Sequence, residues 1–401
     1  MNNVITSYII FIFLSPFFTT GLPPAMQSIP SYFAFAIFIL IFQLRLFIQP
    51  KLIKKSDLQK IDILPLIFFL IWFYGFTVGV INGNNVAYII RNFAGMVLYI
   101  SYYIFIIQRF KKNKIINSLI IFSIFYVFDS FYSFYDSFAE GSLIFSLLGS
   151  TRYYFSIGTL LIFPLISYLI TKILFFDKTM NFNIKSRYLS SLINSKSSTI
   201  VFLLICILGG VIFPFSKGNL LAFIFILTSL FFCQIIAKNT SSLRKIFVST
   251  CSIIFGLFLI LYSINNSISM NPFNRSLEGN QTRYEQIELL KEDISFIGHG
   301  LGAEIKGYAR DQENRYGFET TYLNLIHKFG FMSLPLFICY FISLLIPLLN
   351  IIKNEKLMEN SIAFGMMGFL FPSIGNPMLF SPVSCLLHCT SNYLIRNRRR
   401  K

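Results

Sequence analysis

Long, nearly unbroken apolar runs recur along the whole chain and constrain its fold more than any other feature. Each run is close to the ~20 residues that an α-helix needs to cross the hydrocarbon core of a bilayer. The runs lack the alternation of polar and apolar residues that is typical of a membrane β-strand. Because only helices and closed barrels satisfy their backbone hydrogen bonds in lipid, the chain is predicted to be an all-α, polytopic membrane protein.

We predict about twelve transmembrane helices from these runs. Their predicted bounds are 4–20, 31–48, 61–81, 86–107, 115–135, 154–176, 199–214, 218–237, 246–264, 320–349, 358–374 and 377–395. Charged residues make up only 13% of the 401 residues, whereas soluble domains carry about 25%. Most of the surface is therefore expected to face lipid, which excludes an ordinary soluble domain.

The formal net charge is +17, and its distribution indicates membrane orientation rather than nucleic-acid binding. Lys and Arg fall mainly in short loops between the apolar runs, so we expect no nucleic-acid partner. Alternating the loops puts most of the 34 Lys and Arg residues on one side, which the positive-inside rule identifies as cytoplasmic. Both termini are therefore predicted to be cytoplasmic. The basic tail 396–401 either fixes this topology or binds anionic lipid head groups.

One segment, 265–318, breaks the pattern because it is long, polar and on the predicted outer side. The chain is thereby divided into transmembrane helices 1–9 over 1–264, this periplasmic loop, and helices 10–12 with the basic tail over 319–401. Long loops on a compact helical bundle are where binding and catalytic groups concentrate. The loop is therefore the first place to look for function.

The middle of this loop has the pattern of a short amphipathic helix. Thr282 and Glu285 fit a capping box, with Thr282 at the N-cap. Apolar residues follow at three- and four-residue spacing from Ile287 to Ile297. The glycine-rich turn 298–302 is then expected to end the helix.

Two charged side chains lie inside predicted helices, where lipid penalises charge. Arg91 lies near the outer end of the fourth predicted helix, where it either serves a ligand or extends to the interface. Asp129 lies in the outer half of the fifth, on one helical stripe with Tyr132 and Asp136. That stripe either holds a sugar or contributes an ordinary ion pair.

Three further charges lie at predicted outer helix ends. Lys217 begins a helix, where a cation opposes the helix dipole, so a bound anion would explain it; a solvated loop lysine is the alternative. Arg152 opens the sixth predicted helix and has the same two interpretations. Glu319, at the start of the tenth, either complements the dipole or acts as a general base.

We predict neither a cofactor nor a metal. Cys385, His388 and Cys389 have helical spacing, but three such ligands inside lipid make a poor metal site. His327 is expected to face the membrane interface.

Four short motifs together point to a known family. They are Ser216-Lys217-Gly218, Thr282-Arg283, the run from Phe296 through Gly298-His299-Gly300 to Gly302, and Glu319-Thr-Thr-Tyr322-Leu-Asn324. This set resembles the bacterial O-antigen polymerase (Wzy) and O-antigen ligase superfamily. In that family the motifs lie on the periplasmic side of an all-helical bundle similar to the GT-C glycosyltransferases.

The resemblance implies a metal-independent, inverting glycosyltransferase of the bacterial inner (cytoplasmic) membrane, with its active face in the periplasm. Its substrate would be an undecaprenyl-pyrophosphate-linked oligosaccharide, and a chain-length regulator protein is an expected partner besides the lipid bilayer. Arg283 and Glu319 would carry the chemistry. The pyrophosphate or the sugar would contact Arg91, Lys217, Arg152, His299, Gly298, Gly300, Tyr322 and Asp129.

The sequence departs from the family pattern at two positions. Lys217 stands where arginine is commoner, which keeps the charge but loses the fork geometry. Glu319-Thr320 stands where ligases carry His-Asn, and this carboxylate favours a polymerase of O-antigen or a related surface polysaccharide. The alternatives are an O-antigen ligase, a lipid-linked oligosaccharide flippase, or a membrane protein that only binds partners.

Overall fold

The computed structural model describes residues 2–18, 29–48, 62–139, 157–175, 195–214, 216–237, 277–305, 307–308, 315–374 and 378–396. Regular secondary structure in these ranges is helical throughout, as predicted. The predicted ninth transmembrane helix, 246–264, lies outside the described residues. The α-helices are α1 (Asn2–Phe18), α2 (Ile29–Ile48), α3 (Ile63–Ile81), α4 (Val86–Ala94), α5 (Ile100–Ile107), α6 (Lys112–Ala139), α7 (Ile162–Phe175), α8 (Lys196–Ile207), α9 (Lys217–Ile236), α10 (Leu277–Glu292), α11 (Thr321–Phe329), α12 (Ser333–Ile352), α13 (Leu357–Met366) and α14 (Pro382–Ile395).

Five helical segments of the described chain are long and apolar enough to cross a membrane. They are Ile63–Ile81, Val86–Ile107, Lys112–Asp136, Gly218–Ile236 and Thr321–Ile352. Short 3₁₀ turns join α4 to α5 and α11 to α12, so two of these segments each span a pair of α-helices. This is the composition of a helical membrane protein. The count of about twelve spans and the side on which the loop lies stay predictions.

The chain divides into two compact units. One comprises Met1–Ser118, Glu278–Ser343 and Ser373–Lys401, and the other comprises Leu119–Leu277 and Leu344–Pro372. We refer to them as the first and second units.

In the second unit, α7 packs against α8, α9 and α13. Every side chain of α7 from Ile162 to Lys172 is buried, so this part of the helix has no exposed face. Glycines bring the neighbouring backbones close: a Cβ at Gly365 would lie 2.5 Å from the Phe163 carbonyl oxygen. Such close packing of small residues is typical of helices that associate in membranes.

In the first unit, α14 is buried along its whole length and carries polar residues inside the protein. Two of them, His388 and Asn392, belong to a chain of hydrogen bonds with Tyr99 and Ser343. Tyr99 donates its hydroxyl proton to His388 Nδ1. His388 Nε2 donates to Ser343 Oγ at 2.8 Å, and Ser343 donates to Asn392 Oδ1 at 2.9 Å. This network gives both ring nitrogens of the histidine between the two cysteines of α14 a hydrogen-bond partner.

The loop helix α10 differs from its prediction at both ends. It begins at Leu277 and ends at Glu292, so Thr282 lies inside the helix and the predicted capping box is wrong. Ile297 lies beyond the helix and is 59% exposed. Tertiary packing holds the second half of the helix: Leu290 is buried against Ile305 and Phe318.

Candidate functional site

The glycine-rich turn after α10 is docked against α3 through main-chain contacts. Leu301 N donates to Gly75 O at 2.8 Å. Gly300 has φ +79°, and a Cβ there would lie 2.0 Å from Gly79 N. A Cβ on Gly79 would in turn lie 2.4 Å from Leu301 O. Only residues without a side chain allow the two backbones to approach this closely.

Polar side chains of the α3–α4 region bind the backbone of the same turn. Asn84 Nδ2 donates to His299 O at 2.8 Å and to Leu301 O at 2.9 Å. Asn92 Oδ1 accepts from Gly302 N at 3.1 Å. These bonds satisfy polar backbone groups that the turn cannot pair internally. The turn is therefore a fixed part of the first unit.

The turn also pairs with the end of α11. His299 N donates to His327 O, and Gly300 N donates to Lys328 O, both at 2.9 Å. The last carbonyls of a helix have no partner within it, so the turn supplies the missing donors. Gly298 is buried here with φ +84°, and a Cβ would lie 2.6 Å from Gly330 N.

Lys328 is a buried cation that the sequence analysis did not single out. Its side chain has no exposed surface, and Nζ donates to Asn92 Oδ1 at 2.7 Å and to Tyr316 O at 2.9 Å. Nζ also lies 5.5 Å from the centre of the Tyr316 ring. A buried ammonium needs such partners to offset its lost hydration. A charge within the apolar segment that follows Thr321 was the signal that could have identified it.

Arg91 lies one residue before Asn92 and reaches the same part of the loop. Its side chain is exposed and interacts electrostatically with the side chain of Tyr316. Burial raises the pKa of Tyr316, and the contact with Arg91 opposes this rise. The Tyr316 ring packs on Tyr88 at a centroid distance of 4.6 Å. Arg91 thus lies beside the loop, with its charge open to solvent.

Arg283 and Glu319 meet, although 36 residues separate them in the chain. Arg283 Nε lies 2.8 Å from Glu319 Oε2, and their side chains are 27% and 7% exposed. Gln286, one turn after Arg283, accepts a hydrogen bond from Glu319 N at 2.9 Å through Oε1. Helix α10 therefore binds both the carboxylate and the backbone of Glu319. The pair combines a nearly buried carboxylate with a guanidinium that solvent reaches.

His327 is buried inside the protein, so the expectation that its side chain faces the membrane interface is wrong. It has no exposed surface, and its Nε2 lies 2.9 Å from Asp293 Oδ2. Its ring stacks on His299 at a centroid distance of 4.6 Å. Burial follows from the pairing of α11 with the glycine-rich turn, which local sequence does not reveal.

The remaining predicted residues are Tyr322, Asp129, Lys217 and Arg152. Tyr322 is half-buried and packs on Phe337 at 5.9 Å. Asp129 lies on α6 within the second unit. Lys217 is the first residue of α9, in the second unit as well, but its side chain lies outside the described residues, as does all of Arg152.

No protein-family model matches the chain, and no significantly similar curated protein is found.

Proposed function

We propose that the chain is a polysaccharide polymerase of the bacterial inner membrane, with both termini in the cytoplasm and its active face in the periplasm. It transfers a growing glycan from undecaprenyl pyrophosphate to a new lipid-linked repeat unit, in cooperation with a chain-length regulator. The observation that carries this proposal is the contact between Arg283 and Glu319. The family resemblance gives these two residues the chemical roles in the reaction, which involves a negative charge on the departing pyrophosphate and a proton on the attacking hydroxyl.

The reaction places opposite demands on the two residues. Cleavage of the bond between the anomeric carbon and the pyrophosphate leaves negative charge on the departing pyrophosphate, which a fixed cation stabilises. The attacking hydroxyl of the acceptor sugar loses a proton, and an ionised carboxylate can accept it. Arg283 supplies the cation and Glu319 the base. Single displacement at the anomeric carbon inverts its configuration.

The ion pair suggests how the site changes when the donor arrives. A pyrophosphate carries more charge than one carboxylate and competes with Glu319 for the Arg283 guanidinium. Arg283 is 27% exposed, so an incoming anion can reach it, whereas Glu319 is held in place by packing and by Gln286. Donor binding then leaves the Glu319 carboxylate available to the acceptor hydroxyl.

Arg91 is the second cation that we assign to the donor. Its exposed side chain interacts electrostatically with Tyr316, in the loop that leads to Glu319. Lys328 and Asn92 hold that stretch of the loop on α4 from the buried side. The proposal gives Lys217, Arg152 and Asp129 contacts with the pyrophosphate or sugar, on the family resemblance alone.

The test is complementation of a deletion strain, read from its lipopolysaccharide or capsule pattern. Arg283→Ala and Glu319→Gln should each abolish long polymer, a loss of at least about 100-fold, because each removes a group that acts on charge in the transition state. Glu285→Gln is the matched control, since Glu285 is an exposed carboxylate on the same helix. It should support wild-type polymer.

The same strain separates the alternatives. A polymerase deletion leaves one repeat on the lipid core, a ligase deletion leaves a bare core with polymer on the lipid carrier, and a flippase deletion leaves a bare core without that polymer. Long polymer from either variant at wild-type protein level would refute the roles given to Arg283 and Glu319.

A further inference from the structure

Three potential metal ligands lie close together at the glycine-rich turn. Asp293 follows the last residue of α10, His299 lies in the turn, and His327 lies in α11. One ligand atom from each lies within 4.8 Å of the other two. Asp293 Oδ2 is 2.9 Å from His327 Nε2, and Asp293 Oδ1 is 3.7 Å from His299 Nε2.

The two imidazoles are oriented alike. Their rings stack with an interplanar angle of 25°, and both Nε2 atoms point toward Asp293. His327 is fully buried, with the edge of Phe318 against it, so its ring is held by packing. The side chains of His299 and Asp293 are 34% and 44% exposed, so an ion can enter from solvent.

We propose that Asp293, His299 and His327 bind a divalent transition metal, with Zn²⁺ as the ion that fits best. Imidazole nitrogen with one carboxylate oxygen suits zinc, whereas Mg²⁺ and Ca²⁺ require oxygen ligands. Three protein ligands leave a fourth position for water.

The spacing of the ligand atoms supports this choice. Zinc–ligand bonds of about 2.1 Å in a tetrahedron place ligand atoms about 3.4 Å apart. The distances to Asp293, 2.9 Å from Oδ2 to His327 Nε2 and 3.7 Å from Oδ1 to His299 Nε2, are of this size but involve its two different oxygens, and one ligand atom from each residue lies within 4.8 Å of the other two. His299 Nε2 also lies 2.7 Å from the Asp293 main-chain oxygen, a contact that metal binding replaces. Each Nε2 gives its lone pair to the ion, so each neutral ring carries its proton on Nδ1.

A metal at this point would join three segments of the first unit: the end of α10, the glycine-rich turn and α11. Its effect would be to hold the loop in place. The inference does not rest on the proposed function, because neither Arg283 nor Glu319 is a ligand.

The experiment uses the full-length chain purified in detergent, stripped with a chelator and titrated with Zn²⁺. One Zn²⁺ per chain should bind and raise the melting temperature. Asp293→Asn and His299→Gln should each weaken binding at least about tenfold, since loss of a direct ligand costs at least as much as loss of an outer partner. Glu292→Gln, which alters the exposed neighbouring carboxylate, should bind as the wild type does.

The same titration with Co²⁺ identifies the ligand atoms. Nitrogen and oxygen ligation is expected, without the intense thiolate absorption that the cysteines would give. Failure of the wild type to bind Zn²⁺, unchanged binding by both variants, or a thiolate band would each overturn the inference. Arg283→Ala should bind Zn²⁺ normally, so its loss of polymer tests the proposed function separately.

Discussion

Two arginine–carboxylate pairs in the first unit have nearly the same Nε–O distance and different surroundings. Arg283 Nε lies 2.8 Å from Glu319 Oε2, and Arg396 Nε lies 2.9 Å from Asp62 Oδ1. The side chains of the first pair are 27% and 7% exposed, and those of the second are 11% and 3% exposed. The distances do not distinguish the pairs, but access to the guanidinium does.

The Asp62 pair is built into a network that joins the start of α3 to the end of α14. Asp62 Oδ1 also accepts from the Tyr102 hydroxyl at 2.6 Å, and Arg396 makes a second contact through Nη2 with Oδ2 at 3.2 Å. An incoming anion would have to break several buried bonds to reach Arg396. This pair is suited to hold helices together, and the pair in the loop is suited to exchange a carboxylate for a ligand.

The largest expected loss of stability comes from breaking the buried pair of Asp62 and Arg396. Asp62→Ala leaves the Arg396 guanidinium without its carboxylate in a buried place, so the free energy of unfolding should fall by about 3 kcal/mol. Thermal unfolding in detergent measures this loss. Polymer formed per folded molecule should stay near the wild-type level. A normal melting temperature, or a stable variant without activity, would erase the contrast between the two pairs.

A somewhat smaller loss of stability is expected when the glycine-rich turn is disturbed. Gly300→Ala puts a Cβ against Gly79 and forces alanine to φ +79°, so stability should fall by about 2 kcal/mol. Polymer should fall as well, because the loop that carries both members of the pair is displaced. Gly307→Ala is the control: Gly307 also has φ +80°, but its Cβ would meet open space. Equal effects of the two variants would show that strain, and not close packing, matters.

The smallest effect on stability is expected from the loop pair itself. Arg283→Ala should lower the free energy of unfolding by only about 1 kcal/mol, because the pair is partly exposed and solvent screens it. The exchanged double variant Arg283→Glu with Glu319→Arg should recover most of that loss. It should not restore polymer, because the cation and the base have changed places. Restored polymer would mean that the pair serves only to stabilise the loop.

Helix positions were largely predictable because apolar length is a local property. The fourth predicted span, 86–107, coincides with the segment Val86–Ile107, and the eighth, 218–237, ends one residue beyond Ile236. The start of α10 was predicted wrongly, since Thr282 has the local pattern of a cap but lies inside a helix that begins at Leu277.

The site was predictable only as a set of residue types. Arg283 and Glu319 were singled out from short motifs, but their contact depends on a fold that brings positions 36 residues apart together. The buried contacts of Lys328 and His327 could not be predicted, because their partners Asn92 and Asp293 come from other segments of the chain.

What the amino-acid sequence determined by itself is the helical, lipid-facing class of the protein, because the transfer of apolar side chains from water depends on each run alone. The tertiary structure decided which charges are enclosed and which are reachable. That outcome depends on backbone contacts such as those of Gly79 with the turn, where the absence of side chains at Gly79 and Gly300 lets the two backbones pack closely.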